Sequence, residues 1–258
     1  MKEKKTKYSM KISRKKLAYI IISLSVIAII VMLYYIKYQN TNKQTGERIL
    51  AEIKIDESKV TNEKTERMLK VEKLQKNNSD VIGWLEIEGT KVNYPVVQGK
   101  DNDYYYLTHD YNKKEASGGS LFLDKSFDFT KPSSNLLIYG HRHEQGIMFE
   151  DLSKYQEKSF YNEHPNIKFT TNNEESEYEI ISVFLSRVYY KSEKNVFRYY
   201  FFVDAQNEEE YDEYVKECKL ASLYDTGKTA QYGDQLMTLS TCSYHTEDGR
   251  LAVVARKK

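Results

Sequence analysis

The sequence predicts a mainly β protein: an eight-stranded barrel, closed or nearly closed, with peripheral helices, preceded by a single N-terminal transmembrane helix. Three observations predict it. Eight short runs rich in β-branched or aromatic residues, each bounded by Gly, Asn, Asp or Ser, crowd into the last two thirds of the chain. Helical periodicity is confined to a few short segments there, which does not suit an alternating βαβ sheet. One uncharged stretch follows a strongly basic N-terminus.

Residues 1–16 form that basic tail, with Lys2, Lys4, Lys5, Lys7, Lys11, Arg14, Lys15 and Lys16 against Glu3. Residues 17–36 carry no charge, and a helix of about 20 residues spans roughly 30 Å, the thickness of the hydrocarbon core. Tyr34 and Tyr35 stand at its far end, where aromatics favour the membrane interface. The positive-inside rule leaves residues 1–16 cytoplasmic and everything after Ile36 outside the cell membrane. A cleaved signal peptide is the rival, but the run is long for one and no Ala-x-Ala-like site follows. A buried core helix fits neither the basic flank nor the lack of a polar face.

Residues 37–80 read as a polar spacer ending in a helix near 61–76, where Met68, Val71, Leu74 and Gln75 fall at helical spacing. Gly83-Trp84 opens the globular part, so the main domain is placed at 81–258. Its predicted strands are 84–88, 91–97, 120–124, 136–139, 167–170, 178–187, 236–241 and 251–256. Two helices interrupt them. In 146–156 the stripe is Met148, Phe149, Leu152 and Tyr155; in 207–222 it is Tyr211, Tyr214, Val215 and Cys218.

Composition narrows the function. The chain has 258 residues, enough for one sizeable domain and an appendage. A net charge of +1 gives no argument for nucleic acid as a partner. Two cysteines are too few for a disulfide scaffold, and although they could form one bridge, their settings suggest different jobs. Cys218 lies on an apolar helical stripe and reads as structural. Cys242 ends the strand-like run LMTLSTC and precedes a polar loop, which gives a nucleophile rigid placement with access.

Two further residues support that reading. Arg250 comes eight positions later, directly before the apolar run LAVVA, and a hairpin of that length returns it beside Cys242. A guanidinium there lowers a thiol pKa and holds a developing oxyanion. Arg256 is the competing base but lies at the far end of the same strand. His141 follows the apolar run NLLIYG, in a strand-end loop like that of Cys242, and is the natural proton carrier. Gly140 before it removes bulk and is expected to permit an unusual backbone turn. His141, His143, Cys242 and His245 could in principle hold zinc, but the spacing is weak and no acidic general base accompanies it. No Asp-x-Asp-x-Asp-Gly loop suggests calcium. Neither a metal nor another cofactor is expected.

Together, Tyr139-Gly140-His141, Thr238-Leu239-Ser240-Thr241-Cys242 and Arg250 resemble the sortases, whose chain order is His, Cys, Arg; papain-like peptidases place the Cys first. Gly83-Trp84-Leu85, Tyr94-Pro95-Val96-Val97-Gln98, Ser120-Leu121-Phe122-Leu123-Asp124, Met148-Phe149 and the helix before the Cys strand are similar to class B sortases. The resemblance covers roughly 70–258. It implies a closed sortase-type barrel and a membrane-anchored cysteine transpeptidase. It implies cleavage after Thr in a C-terminal sorting signal, Asn-Pro-Gln-Thr-Asn-like or Ser/Asn-Pro-x-Thr-Gly-like, on secreted proteins. It implies a thioacyl intermediate and a peptidoglycan precursor amine as acceptor. Carried over, Asn102, Tyr139 and Ser240 line the substrate groove. Val196-Phe197 falls where the family often has Tyr-Ile. No acidic helper for His141 can be assigned. The rivals are a thiol hydrolase with water as acceptor, a pilin-polymerising enzyme with a Lys acceptor, and a single-pass surface scaffold with Cys242 merely buried.

Overall fold

The computed structural model describes residues 14–42, 46–99, 104–131, 133–143 and 145–258, in two compact units divided between Lys43 and Gln44. The first is the helix α1 (Arg14–Asn42). Its apolar side chains, among them Ile21, Leu24, Val31 and Leu33, are exposed. Among the described residues no helix is long and apolar enough to cross a membrane. The side chains of Leu17, Ala18 and Ile36, and most of the basic tail, lie outside the described residues.

In the second unit, α2 (Gly46–Glu52) and α3 (Glu66–Asn77) precede the strands β1 (Val81–Glu86), β2 (Asn93–Val97), β3 (Leu121–Leu123) and β4 (Asn135–Tyr139). A two-stranded ribbon, β5 (Arg142–His143) and β6 (Ile147–Met148), then leads through α4 (Lys158–Glu163) to β7 (Asn166–Thr170) and β8 (Glu175–Arg187). The helix α5 (Glu208–Ala221), β9 (Leu236–Cys242) and β10 (Gly249–Lys257) complete the chain. All eight expected strands are present, and they close in the order β1-β2-β3-β4-β9-β10-β8-β7.

Side chains alternate across a strand, so the pairing register separates the barrel's two faces. One row runs Val81, Val97, Phe122, Tyr139, Ser240, Ala252, Phe184 across seven strands. This is the outer face, because the connections lie on it: Tyr199 and Tyr214, from the β8–β9 connection, bond Ser240 and Thr238. Leu136, Ile138, Met237, Leu239, Leu251 and Val253 alternate with these residues, line the interior and are buried. At roughly 25 cal/mol per Å2 of apolar area, this filling is the main stabilising term.

Two layers cover the outer face. Val71 and Leu74 of α3 pack with Trp84, Val97, Phe122 and Tyr106. On the other side α5 buries Tyr211, Tyr214, Val215 and Cys218, and Ser182 on β8 donates its hydroxyl to the Cys218 carbonyl at 2.5 Å.

Helix boundaries differ from expectation for local reasons. The helix foreseen at 61–76 starts at Glu66, because Thr65 caps it by accepting from the Met68 amide. The helix foreseen at 146–156 is a 3-10 turn over Glu150–Gln156 behind the ribbon. Gly146 and Met148 take positive φ of 68° and 54°, which ends any α-helix there, while Leu152 and Tyr155 are still buried. Neither α2 nor α4 was foreseen.

Candidate active site

β9 and β4 run parallel at the centre of this wall, and both end at the same barrel edge. Tyr139 pairs with Ser240. Beyond that pair the Gly140 amide donates to the Ser240 carbonyl at 3.2 Å, and the Thr241 hydroxyl donates to the Gly140 carbonyl at 2.8 Å. The register therefore carries on by one more step, to Gly140 and Thr241, and His141 and Cys242 are the residues that follow these two. The Phe149 amide bonds the His141 carbonyl at 2.9 Å and ties down its main chain.

On the other flank Arg250 is the register partner of Cys242, as the hairpin length implied. The turn between them is fixed by Ser243 N–H to the Gly249 carbonyl at 2.9 Å and by Asp248 at φ 51°. Arg250 Nη1 donates to the Asp248 and Gly249 carbonyls at 3.2 and 2.9 Å. That holds the head group over the turn and leaves Nε and Nη2 without a hydrogen bond among the described residues. Arg256 is instead paired with Leu236 at the strand's far end and bound to Glu179.

Both cysteines are free thiols. Cys242 is half-buried, whereas Cys218 is fully buried and burial pushes its thiol up, out of the reactive range. His141 is half-buried, and its Nε2 lies 2.9 Å from the Leu107 carbonyl oxygen. Gly140 does not take the unusual turn expected of it: its φ is not positive. The need for glycine is packing, since a Cβ there would meet the side chains of Leu121 and Phe149. His143 sits in the ribbon, and His245 faces the Ser243 hydroxyl at 3.0 Å.

The carried-over groove residues divide. Tyr139 is half-buried on the row leading to Cys242, stacked at a tilt on Phe122 and donating to Asp124 at 3.3 Å. Ser240 is buried and spends its hydroxyl on Tyr199 at 2.7 Å. Val196 is half-buried; Phe197 packs inward on Phe184 and Tyr214 at 5.8 and 5.7 Å. Asn102 lies outside the described residues.

Two members of the neighbourhood were not foreseen. Tyr199 underlies the cysteine strand, and burial pushes its phenol up, so it stays a neutral partner of Ser240. Its place in the run Tyr199-Tyr200-Phe201-Phe202 could have signalled an aromatic layer. Leu107 acts through its carbonyl, which has no sequence signature.

A thiol, an imidazole and a guanidinium on adjacent strand ends can perform acyl transfer. The comparisons agree in kind. A family model, the sortase domain, matches residues 85–258. Sortase B of Listeria monocytogenes is 32% identical over 218 residues, covering 84% of this chain and 85% of that protein. Staphylococcus aureus sortase B is 32% identical over 187 residues, 72% of this chain and 73% of that protein. A Staphylococcus aureus sortase B–substrate complex superposes with a TM-score of 0.64 at 30% identity, covering 73% of this chain and 84% of that one. Sortase B from Bacillus anthracis in complex with AAEK1 gives 0.69 at 30% identity, covering 86% and 98%.

Proposed function

This chain belongs to the sortase family as a class B cysteine transpeptidase, and on that premise we propose that Cys242, His141 and Arg250 are its catalytic residues. The observation that carries the assignment is the placing of Arg250 opposite Cys242, with His141 two residues beyond Tyr139 as Cys242 is two beyond its register partner Ser240.

The Cys242 thiolate attacks the carbonyl carbon that follows the Thr side chain of a sorting signal, forming a C–S bond. Arg250 holds the oxyanion through the guanidinium nitrogens that the turn leaves free; one such donor is typically worth about 10²–10³ in rate. His141 delivers a proton to the departing amine as the C–N bond breaks, leaving a thioacyl enzyme. A peptidoglycan precursor amine then attacks, gives its proton to His141 and expels the thiolate. Acyl energy is conserved throughout, so no nucleotide is spent. The Staphylococcus aureus relative in complex with its substrate supports a substrate groove here, with Tyr139 as its floor and Val196 at its side; the resemblance adds Asn102, whereas Ser240 and Phe197 act from behind the groove as packing. The signal is Asn-Pro-Gln-Thr-Asn-like or Ser/Asn-Pro-x-Thr-Gly-like, borne on secreted proteins.

The N-terminal segment anchors the enzyme in the cell membrane, with residues 1–16 cytoplasmic and the barrel outside. The uncharged run 17–36 behind a basic tail and the exposed apolar side chains of α1 support this reading. Anchoring holds the enzyme where secreted proteins and lipid-linked precursors both pass.

The test is a panel of quenched sorting-signal peptides with an added amine, the products followed by mass spectrometry. Cleavage after Thr with capture of the amine, lost in Cys242→Ala, is the expected result. Cleavage with water as sole acceptor would make the protein a thiol hydrolase.

A further inference from the structure

Among the described residues the His141 ring makes one hydrogen bond, to the Leu107 carbonyl. The main chain of His141 is fixed by the Phe149 amide on its own carbonyl and by the Ser240 and Thr241 bonds to Gly140 before it, so rotation of the ring is what remains to be set. The 3-10 turn Tyr105–Leu107 sets it. The carbonyls of Tyr104, Tyr105, Tyr106 and Thr108 accept from the amides of Leu107, Thr108, Ser120 and Ala116, at 3.2, 3.3, 2.9 and 2.9 Å. The Leu107 carbonyl between them accepts from His141 Nε2 at 2.9 Å. A carbonyl can only accept, so Nε2 carries the hydrogen. Nδ1 is then the nitrogen free to exchange protons.

The turn is itself held by Gly119. That residue has a φ of 56° and its amide bonds the Ala116 carbonyl at 3.0 Å. A Cβ on Gly119 would meet the Tyr106 and Leu107 carbonyl oxygens, the latter at 2.5 Å. No side chain fits there without moving the oxygen that His141 uses, and φ is in the region that favours glycine.

We infer that the Leu107 carbonyl locks His141 in its Nε2–H tautomer, so that every proton in the reaction passes through Nδ1, and that Gly119 is the positioning residue that keeps this carbonyl in place. The inference rests on His141 being the proton carrier. When Nδ1 takes a proton, the imidazole becomes a cation and the bond to Leu107 becomes charge-assisted and stronger. The carbonyl thus orients the ring and stabilises the imidazolium that pairs with the thiolate, as a carboxylate does in other triads. This supplies the partner that the sequence could not, since no acidic side chain is required.

The experiment uses the full-length chain labelled with 15N in its histidines, with the His141 signals assigned by their loss in His141→Gln. In the neutral ring, a protonated Nε2 and an unprotonated Nδ1 are expected; the reverse tautomer overturns the inference. Gly119→Ala should lower kcat for peptide cleavage by about ten- to a hundredfold, the effect of losing one charge-assisted bond. KM should change little, and the His141 shifts should move towards those of a free imidazole. A folded Gly119→Ala enzyme with wild-type kcat and tautomer also overturns it. If the variant does not fold, the wild-type tautomer still decides. Full cleavage by His141→Gln would instead sink the functional reading itself.

Discussion

Arg250 faces Cys242 across the β9–β10 ladder, and its Nη1 is already spent on the carbonyls of its own turn. The guanidinium is therefore pre-aimed, and its remaining donors need little reorganisation as charge develops on the substrate. Arg250→Ala should lower kcat/KM by about 10²–10³. Arg250→Lys should recover only part of that, because an ammonium cannot bond the turn and the substrate with the same fixed geometry. Steady-state cleavage of a signal peptide measures both. A loss under about threefold in Arg250→Ala would remove Arg250 from the mechanism.

The two thiols should differ in reactivity as they do in burial. Cys242 is half-buried at a strand end, and Cys218 is sealed on the inner face of α5. Native protein should take up a single alkyl group, on Cys242, and a second only after unfolding. Intact mass and peptide mapping would report this. Equal labelling of both in the native state would contradict the packing of α5.

Tyr199 and Ser240 share a buried hydrogen bond beneath the cysteine strand. Ser240→Ala or Tyr199→Phe alone should each cost about 1–3 kcal/mol, because each strands a buried hydroxyl. The double variant should lose less than the sum. Urea unfolding of all four proteins completes the cycle. Simple additivity would mean that the two hydroxyls do not interact in solution.

Glu179 on β8 binds Arg256 on β10 and lies 3.0 Å from Lys228. The Arg256 hydrogen bond is the first cause of a carboxyl pKa held below its ordinary value of 4.5. A folded-state pKa below the unfolded one means stability that is present above the unfolded pKa and lost as pH falls through the folded one. Tm should therefore drop on acidification below about pH 4.5, and Glu179→Gln should flatten that slope. At neutral pH the same variant should cost about 1–2 kcal/mol, a modest value because Arg256 is partly exposed. An unchanged acid slope in Glu179→Gln would assign the effect to other carboxylates.

Removal of residues 1–43 should leave peptide cleavage within about twofold of the full-length enzyme, since the barrel and its flanking helices belong to the second compact unit. The full chain should sediment with membranes and the truncated one should not. A truncated protein that folds but cleaves nothing would make the N-terminal segment more than a tether.

The strands were legible because each carries a strong local signal: alternation, β-branched residues and a turn at each end. His141, Cys242 and Arg250 were legible for a related reason, since each stands next to such a strand and the hairpin length fixes the last pair. The ribbon at 142–148 was not, because its shape comes from positive φ at Gly146 and Met148 rather than from periodicity. Gly140 was recognised as special, yet for an incomplete reason: the close approach of Leu121 and Phe149 is a contact between distant segments. The same limit hid the Leu107 carbonyl and the Tyr199–Ser240 bond, which join residues 34 and 41 positions apart. Phe197 was placed in the groove by its position in the family, whereas its ring turns inward to Phe184 and Tyr214.

The parallel pairing of β4 and β9 has a kinetic consequence. The bond between the Thr241 hydroxyl and the Gly140 carbonyl spans 101 residues of chain. Contacts of such high order form late, after the entropy of closing a long loop has been met. A chain in which β4 and β9 have not yet paired holds Cys242 apart from His141. Where Cys242 and His141 act together, as proposed, peptide cleavage waits on the pairing of β4 with β9.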